Sequence, residues 1–323
     1  MNELIWMKYN YVVFATYANL YRYMYQDLEN LENVQVYWDR SDLLELLPQM
    51  AGRLAKLHIN SHLPMKKLWY FWASNKIRFE NGKPICFVWH HHFIEEIENG
   101  TINHIRTMFP ESKHIYIYTD PWSINEDSIS FFKNQMDVIA VFDPVIAEKH
   151  HFIFLPNIFP DIECQETAID YDICFVGQDK GREQELESIA KLCAQNNIRT
   201  AFYIGKSQNK NEKSGIKYMS GKMAYREVVD IVKRSNCVLE LKVEPDNTCS
   251  LRVQEAVTCG KKLITNNLNV YKMPCCRDSE WIHYFSKPED IDWEFIKRVD
   301  KVDYHYNGEY SAQTWLQRID DKV

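Results

Sequence analysis

The stretch Asn247-Thr248-Cys249-Ser250-Leu251-Arg252-Val253-Gln254-Glu255-Ala256-Val257-Thr258-Cys259-Gly260-Lys261-Lys262-Leu263-Ile264-Thr265 reads as a polar loop, a helix, a glycine stop and a buried strand. Arg252 and Glu255 fall in the first turn, and Gly260 takes the C′ position that ends the helix. A loop of hydroxyl and amide side chains running into a helix start presents backbone N–H groups and the positive end of the dipole. That is a seat for an anion. The three-residue spacing puts Arg252 and Glu255 on roughly one face, where a cation beside a carboxylate suits a phosphate and a sugar hydroxyl held together. The bland alternative is a mutual surface ion pair worth ~0.3–0.5 kcal/mol.

Working outward, the chain keeps a strand-helix rhythm. Upstream of the loop lie the strand Cys237–Leu241, a helix over 225–235, the strand Thr200–Gly205, a helix over 182–195 and the strand Asp172–Gly177. The N-terminal half repeats the pattern. Strands are expected at 11–16, 34–38, 85–89, 114–118 and 137–143, with helices at 19–33, within 43–63, at 102–108 and at 128–134. Continuous apolar, β-branched strands that alternate with helices mean parallel sheets buried on both faces, with ligands at the carboxyl ends of the strands. Between 154 and 170 the pattern fades around Pro156 and Pro160, as in an interdomain connection. The expected division is an N-terminal Rossmann-like domain over 1–160, a second over 161–310 and a terminal helix in 311–323. The section 281–320 is expected to alternate short helices.

At 323 residues the chain exceeds what one core serves, which supports two domains. A net charge of −7 disfavours general nucleic-acid binding, since phosphate-backbone affinity comes from neutralising cations. Nine cysteines without a C-x-x-C pair argue against a disulfide framework or zinc ribbon and favour a reducing cytosol. No leader and no apolar run long enough to span a bilayer is found. The patch Leu68-Trp69-Tyr70-Phe71-Trp72 behind Lys66 and Lys67 is a candidate for peripheral contact with a membrane surface, with burial in a core as the commoner fate of such a run.

A second loop, Gly177-Gln178-Asp179-Lys180-Gly181-Arg182, also follows a strand and opens a helix. Its glycines allow close approach, while Lys180 and Arg182 add charge at the helix mouth; a solvated turn is the competing reading. It is neither a P-loop nor a dinucleotide fingerprint. Two anion seats at one sheet edge suggest a diphosphate. Together with Tyr225-Arg226-Glu227-Val228-Val229 and the run Ser250–Asn267, this loop and its strand resemble bacterial GT-B glycosyltransferases of surface-polysaccharide synthesis, of the capsule and lipopolysaccharide type. The resemblance covers about residues 172–267, with Tyr118-Thr119-Asp120-Pro121-Trp122 agreeing in the first half.

The resemblance implies an α/β, GT-B-like fold of two facing Rossmann-like domains with parallel sheets and a cleft between them. It also implies a nucleotide-sugar donor held by the second domain and a saccharide or lipid-linked saccharide acceptor held by the first. It places Gly177, Lys180, Arg182, Ser250 and Arg252 around the diphosphate and Glu255 on the ribose hydroxyls, with no metal and no other cofactor. The pattern of enzymes that retain anomeric configuration has a second glutamate eight residues before the ribose one, and here that position is Asn247. An inverting transfer needs a general base in the first domain. His90, His91 and His92 close one strand and Asp120 follows another; His91 is the first candidate base and Asp120 the second, against a purely structural role for the histidines. The spacing of His58 and His62 and the pair His150-His151 match no zinc motif. The expected activity is metal-independent glycosyl transfer in the cytoplasm, at the inner face of the membrane if the aromatic patch docks there. The alternatives are a catalytically inactive partner subunit and a nucleotide-sugar epimerase of the same fold.

Overall fold

A computed structural model of the chain describes residues 7–15, 19–38, 77–91, 101–118, 126–163, 167–205, 215–242 and 248–323. The chain divides into two compact units, Met1–Ile158 with Tyr310–Val323, and Phe159–Glu309.

The first unit holds a six-stranded parallel sheet of β1 (Asn10–Phe14), β2 (Val34–Tyr37), β3 (Ile85–His90), β4 (Lys113–Tyr118), β5 (Val138–Val141) and β6 (Ile153–Phe154), in the order β2-β1-β3-β4-β5-β6. All five residues of β1 are buried, as are all but the first of β3 and β4. Side chains alternate across such a strand, so each face collects its own core. Tyr11, Val13, Cys86, Val88, Ile115 and Ile117 pack on one side, and Val12, Phe14, Phe87, Trp89, Tyr116 and Tyr118 on the other. Register lines up Phe14, Trp89 and Tyr116 across three strands, and the Phe14 and Trp89 rings stack at 4.3 Å. The helices described are α1 (Asn19–Tyr25), α2 (Thr101–Met108), α3 (Glu126–Lys133) and α4 (Pro144–His150).

In the second unit β7 (Tyr171–Gln178), β8 (Thr200–Gly205), β9 (Ile216–Met219), β10 (Ser235–Glu240), β11 (Lys262–Thr265) and β12 (Ile282–Tyr284) form another parallel sheet, in the order β12-β11-β10-β7-β8-β9. Its helices are α5 (Glu183–Gln195), α6 (Tyr225–Lys233), α7 (Leu251–Thr258) and α8 (Trp293–Lys297). Numbered from its first strand, this is the 3-2-1-4-5-6 Rossmann order, with the direction of winding reversing between β7 and β10. In the first unit the reversal lies between β1 and β3.

The terminal helix α9 (Ala312–Asp320) belongs to the first unit, where Ala312, Trp315, Leu316 and Ile319 complete one face of the core. Asp320 fixes its end by accepting from Lys8 N at 2.8 Å and Tyr11 Oη at 2.7 Å.

Five elements depart from the sequence expectation. The strands β6, β9 and β12, which sequence reading passes over or takes for connection and helix, are the edges of their sheets. Each is short and partly exposed, so none has the unbroken apolar run that marks a central strand. The strand expected over 137–143 stops at Val141, and Asp143 instead caps α4, its Oδ1 accepting from Val145 N at 2.8 Å and Ile146 N at 3.1 Å. The helix expected to Asn33 ends at Tyr25, where a 3₁₀ turn takes over to Asn30.

Candidate functional site

In the second unit the loops after β7 and β10 open on either side of the winding reversal, where an α/β sheet binds ligands. The loop after β10 ends in Ser250, an extended N-cap whose Oγ accepts from Arg252 N at 3.3 Å. The first turn of α7 sends the Arg252 side chain back to β7, where Nη2 donates to the Val176 carbonyl. Gly177 is what admits it: a Cβ there would lie 2.0 Å from Nη2. The guanidinium also rests on the Phe175 ring, 4.8 Å from its centre, a favourable place for a cation in a low-dielectric setting. Arg252 Nε has no hydrogen-bond partner among the described residues.

Arg182 faces the same ring at 5.3 Å but is used differently. It is 6% exposed, and its N–H groups donate to the carbonyls of Asp179 at 3.1 Å, Leu241 at 3.0 Å and Gln178 at 2.5 Å. It therefore buckles the two loops together. Burial first, and the Arg252 charge second, pull its pKa down to about 9. The first N–H groups of α5 are partly spoken for as well, since Asp179 Oδ1 accepts from Glu183 N at 3.0 Å. Lys180, at the tip of the turn, is exposed and held at φ 46°, with Gly181 at φ 84°. Of the residues predicted from sequence, Arg252 and Arg182 both lie over the Phe175 ring, Arg252 passes against Gly177, Ser250 caps the helix that brings Arg252 there, and Lys180 stands at the loop tip.

Glu255, one turn along α7, is 3% exposed. Desolvation pushes its pKa up to about 7, against the opposing pull of Arg252 and the Tyr225 hydroxyl. Neither residue is the solvated half of a surface ion pair. Sequence reasoning missed Phe175, Tyr225 and above all Glu240, the last residue of β10, which is fully buried and accepts from Ser250 N at 2.8 Å and Thr265 Oγ1 at 2.7 Å. A glutamate directly after the apolar run Cys237-Val238-Leu239 is the signal that would have found it.

In the first unit, His90 and His91 emerge where β3 meets the reversal point. They part to opposite faces. His90 lies edge-on to Tyr21 at 4.4 Å, on the α1 side, while His91 Nδ1 hydrogen-bonds Tyr116 Oη at 2.6 Å and its ring lies 5.0 Å from that of Tyr118. A third histidine, His114, is structural: it accepts from Trp89 Nε1 at 3.1 Å, and burial drives its pKa down to about 3. Asp120, His92, Asn247, the pair His58 and His62, and the aromatic patch at 68–72 lie outside the described residues.

Among the described residues no three His, Cys, Asp or Glu side chains are grouped to hold a metal ion, and no helix is long and apolar enough to cross a membrane. No protein-family model and no curated protein matches the chain. Solved structures do. An α-glucosyltransferase in complex with UDP and a 13-mer DNA containing a HMU base is similar at a TM-score of 0.55 and 9% identity, over 96% of this chain and 98% of that one. A UDP-forming α,α-trehalose-phosphate synthase from Burkholderia xenovorans has a TM-score of 0.46 at 9% identity, covering 97% and 94% of the two chains. MurG from Acinetobacter baumannii has 0.41 at 9%, covering 97% and 100%. The first of these likenesses and the two parallel six-stranded sheets agree on the fold class, which is α/β and GT-B-like, with two Rossmann-like units.

Proposed function

We propose that the chain is a glycosyltransferase that moves a sugar from a nucleotide-diphosphate sugar to a saccharide or lipid-linked saccharide in surface-polysaccharide synthesis, in the cytoplasm and without a metal. The observation that carries this reading is Arg252 laid against Gly177 at the winding reversal of the second sheet, with Glu255 one turn further along the same helix. A guanidinium with an unused N–H at the carboxyl edge of a Rossmann-like sheet is suited to a phosphate oxygen. Lys180 supplies a second, mobile-headed cation from the neighbouring loop, so the two charges take the part that a divalent ion plays elsewhere. Glu255, once ionised, accepts from two ribose hydroxyls. Arg182 acts behind them as the buckle between the loops, which narrows the diphosphate role first expected of it.

In the first unit His91 is the candidate base for the acceptor hydroxyl, its ring held by the Nδ1 bond to Tyr116 Oη. The α-glucosyltransferase similar in fold was solved with DNA, so an oligonucleotide belongs among the acceptors assayed. With a net charge of −7 we expect the saccharide to be the one that reacts.

The test is calorimetric titration of the full chain with UDP, GDP and their sugars, with and without a chelator. Binding that survives the chelator and disappears in Arg252→Ala is the expected result. No binding to any of them at millimolar concentration overturns the proposal.

A further inference from the structure

Glu240 has no exposed surface, and no step above uses it. Among the described residues its carboxylate is met only by donors, and they come from separate segments. Ser250 N, in the loop ahead of α7, donates to Oε1 at 2.8 Å. Thr265 Oγ1, at the end of β11, donates to Oε2 at 2.7 Å, and Asn267 Nδ2 approaches Oε1 at 3.4 Å. The segments are tied to one another as well, since Asn267 Nδ2 donates to Thr248 O at 3.0 Å and Asn267 N to Thr265 Oγ1 at 3.0 Å. A single buried acid thus joins the exits of two neighbouring strands to the loop that starts α7.

An ionised carboxylate suits this post because both of its oxygens accept and neither donates. The charges of Arg182 and Arg252 lie close enough to compensate it. The bond to Ser250 N also decides the course of the chain. It fixes Ser250 in the extended conformation of an N-cap, φ −74° and ψ 166°, from which Ser250 Oγ meets Arg252 N. Freed from Glu240, the cap and the first turn of α7 lose their anchor, and Arg252 is on that turn.

We propose that Glu240 is the positioning residue of the nucleotide-diphosphate site, holding Ser250, and through it Arg252, in place against Gly177 before the donor arrives. Preorganisation of this kind shows as ligand affinity, because an unanchored turn must be ordered on binding. The inference rests on the second unit being the donor-binding one.

The experiment measures UDP affinity by calorimetry on the full chain for the wild type, Glu240→Ala, Glu240→Gln, Thr265→Val and Lys262→Met. Lys262 serves as the control: it is equally buried, sits at the opposite end of β11 and donates to the carbonyls of Phe295 and Arg298. Glu240→Ala should weaken UDP about tenfold or more, the loss of one charge-assisted bond. Glu240→Gln should recover most of that, because its amide oxygen can still accept from Ser250 N, and Thr265→Val should fall between. Lys262→Met should lower Tm and leave affinity unchanged. Unchanged affinity in folded Glu240→Ala, or an equal loss in Lys262→Met, overturns the proposal; if Glu240→Ala does not fold, unchanged affinity in Thr265→Val overturns it. Amide exchange at 250–253 in the ligand-free chain reads the anchor independently of any nucleotide. It should be faster in Thr265→Val than in the wild type and near the wild-type rate in Glu240→Gln, and unchanged exchange in Thr265→Val overturns the anchor itself. Failure of the wild type to bind any nucleotide would sink the donor reading alone.

Discussion

The two units share an architecture and differ in what they bury at the point where winding reverses. In the second unit the groups gathered there are ionisable: Arg182 and Arg252 over the Phe175 ring, with Glu240 and Glu255. In the first they are rings and neutral donors: His90, His91, Tyr116 and Tyr118. A sheet edge presents the same geometry in either case, so the side chains that close the strands decide which ligand it can serve. Opposed charges in a dry site can take up an anion such as a diphosphate. Imidazole and phenol instead suit a proton passing to or from a hydroxyl.

The same difference governs stability, and this is where the largest effect is expected. His114, fully buried in the first unit, has its pKa driven from 6.5 down to about 3. A depressed histidine contributes stability that is present above 6.5 and lost as pH falls toward 3. The full shift is worth about 5 kcal/mol. Asp137, held below its ordinary value by Arg106 and the His114 amide, adds to the loss in acid. Glu255 in the second unit runs the other way. Its pKa rises from 4.5 to about 7, so its contribution is present below 4.5 and lost as pH rises through 7, on the order of 3 kcal/mol. Hydrogen exchange followed unit by unit should therefore show β3 and β4 losing protection below pH 6 while α7 gains it. Parallel behaviour of the two units would break the comparison. Glu255→Gln should reduce the pH dependence of α7 and leave that of β3 and β4 intact.

Affinity offers the next two tests. Arg252→Ala should weaken nucleotide-diphosphate binding about a hundredfold, the cost of losing a charge from a desolvated contact. Gly177→Ala separates the role of Arg252 from its mere presence. The new methyl carbon lies 2.0 Å from Arg252 Nη2, the far end of a flexible side chain, and 3.3 Å from the Phe175 ring, so the main adjustment is displacement of Arg252 from Val176. We expect a nearly unchanged Tm and affinity down about tenfold, one hydrogen bond to a charged group. A tightly binding Gly177→Ala would show that the seat against β7 is not the binding geometry.

How far the sequence discloses this molecule follows from what each residue has to do. Central strands such as β3, β7 and β10 are buried on both faces and announce themselves as apolar runs. Edges do not, because one side of β6, β9 or β12 answers to solvent and a few residues suffice. In the site, Arg252 and Glu255 can be picked out of the sequence as a cation and an acid three residues apart on one expected helix. The use made of Arg182 was hidden: its partners are main-chain carbonyls at 178, 179 and 241, and a carbonyl has no letter in the sequence. Glu240 was hidden for a related reason. Its meaning depends on Ser250, Thr265 and Asn267 being its neighbours, and strand order, which the sequence does not print, is what makes them so.

The smallest effect expected is also the one that most directly separates the units. Tyr116 and His91 form a buried bond of 2.6 Å in the first unit, and Phe132 stacks on the Tyr116 ring at 4.0 Å. Tyr116→Phe keeps the ring and its stacking and removes the hydroxyl alone. The stability cost should be about 1 kcal/mol, the net worth of one such bond. Nucleotide affinity should not move, because the groups proposed to hold the donor are all in the second unit. Turnover should fall at saturating donor, because the imidazole has lost the hydrogen bond that orients its ring. If affinity falls and turnover does not, the division of labour drawn between the charged edge and the neutral one is wrong, and His91 has a part in holding the nucleotide.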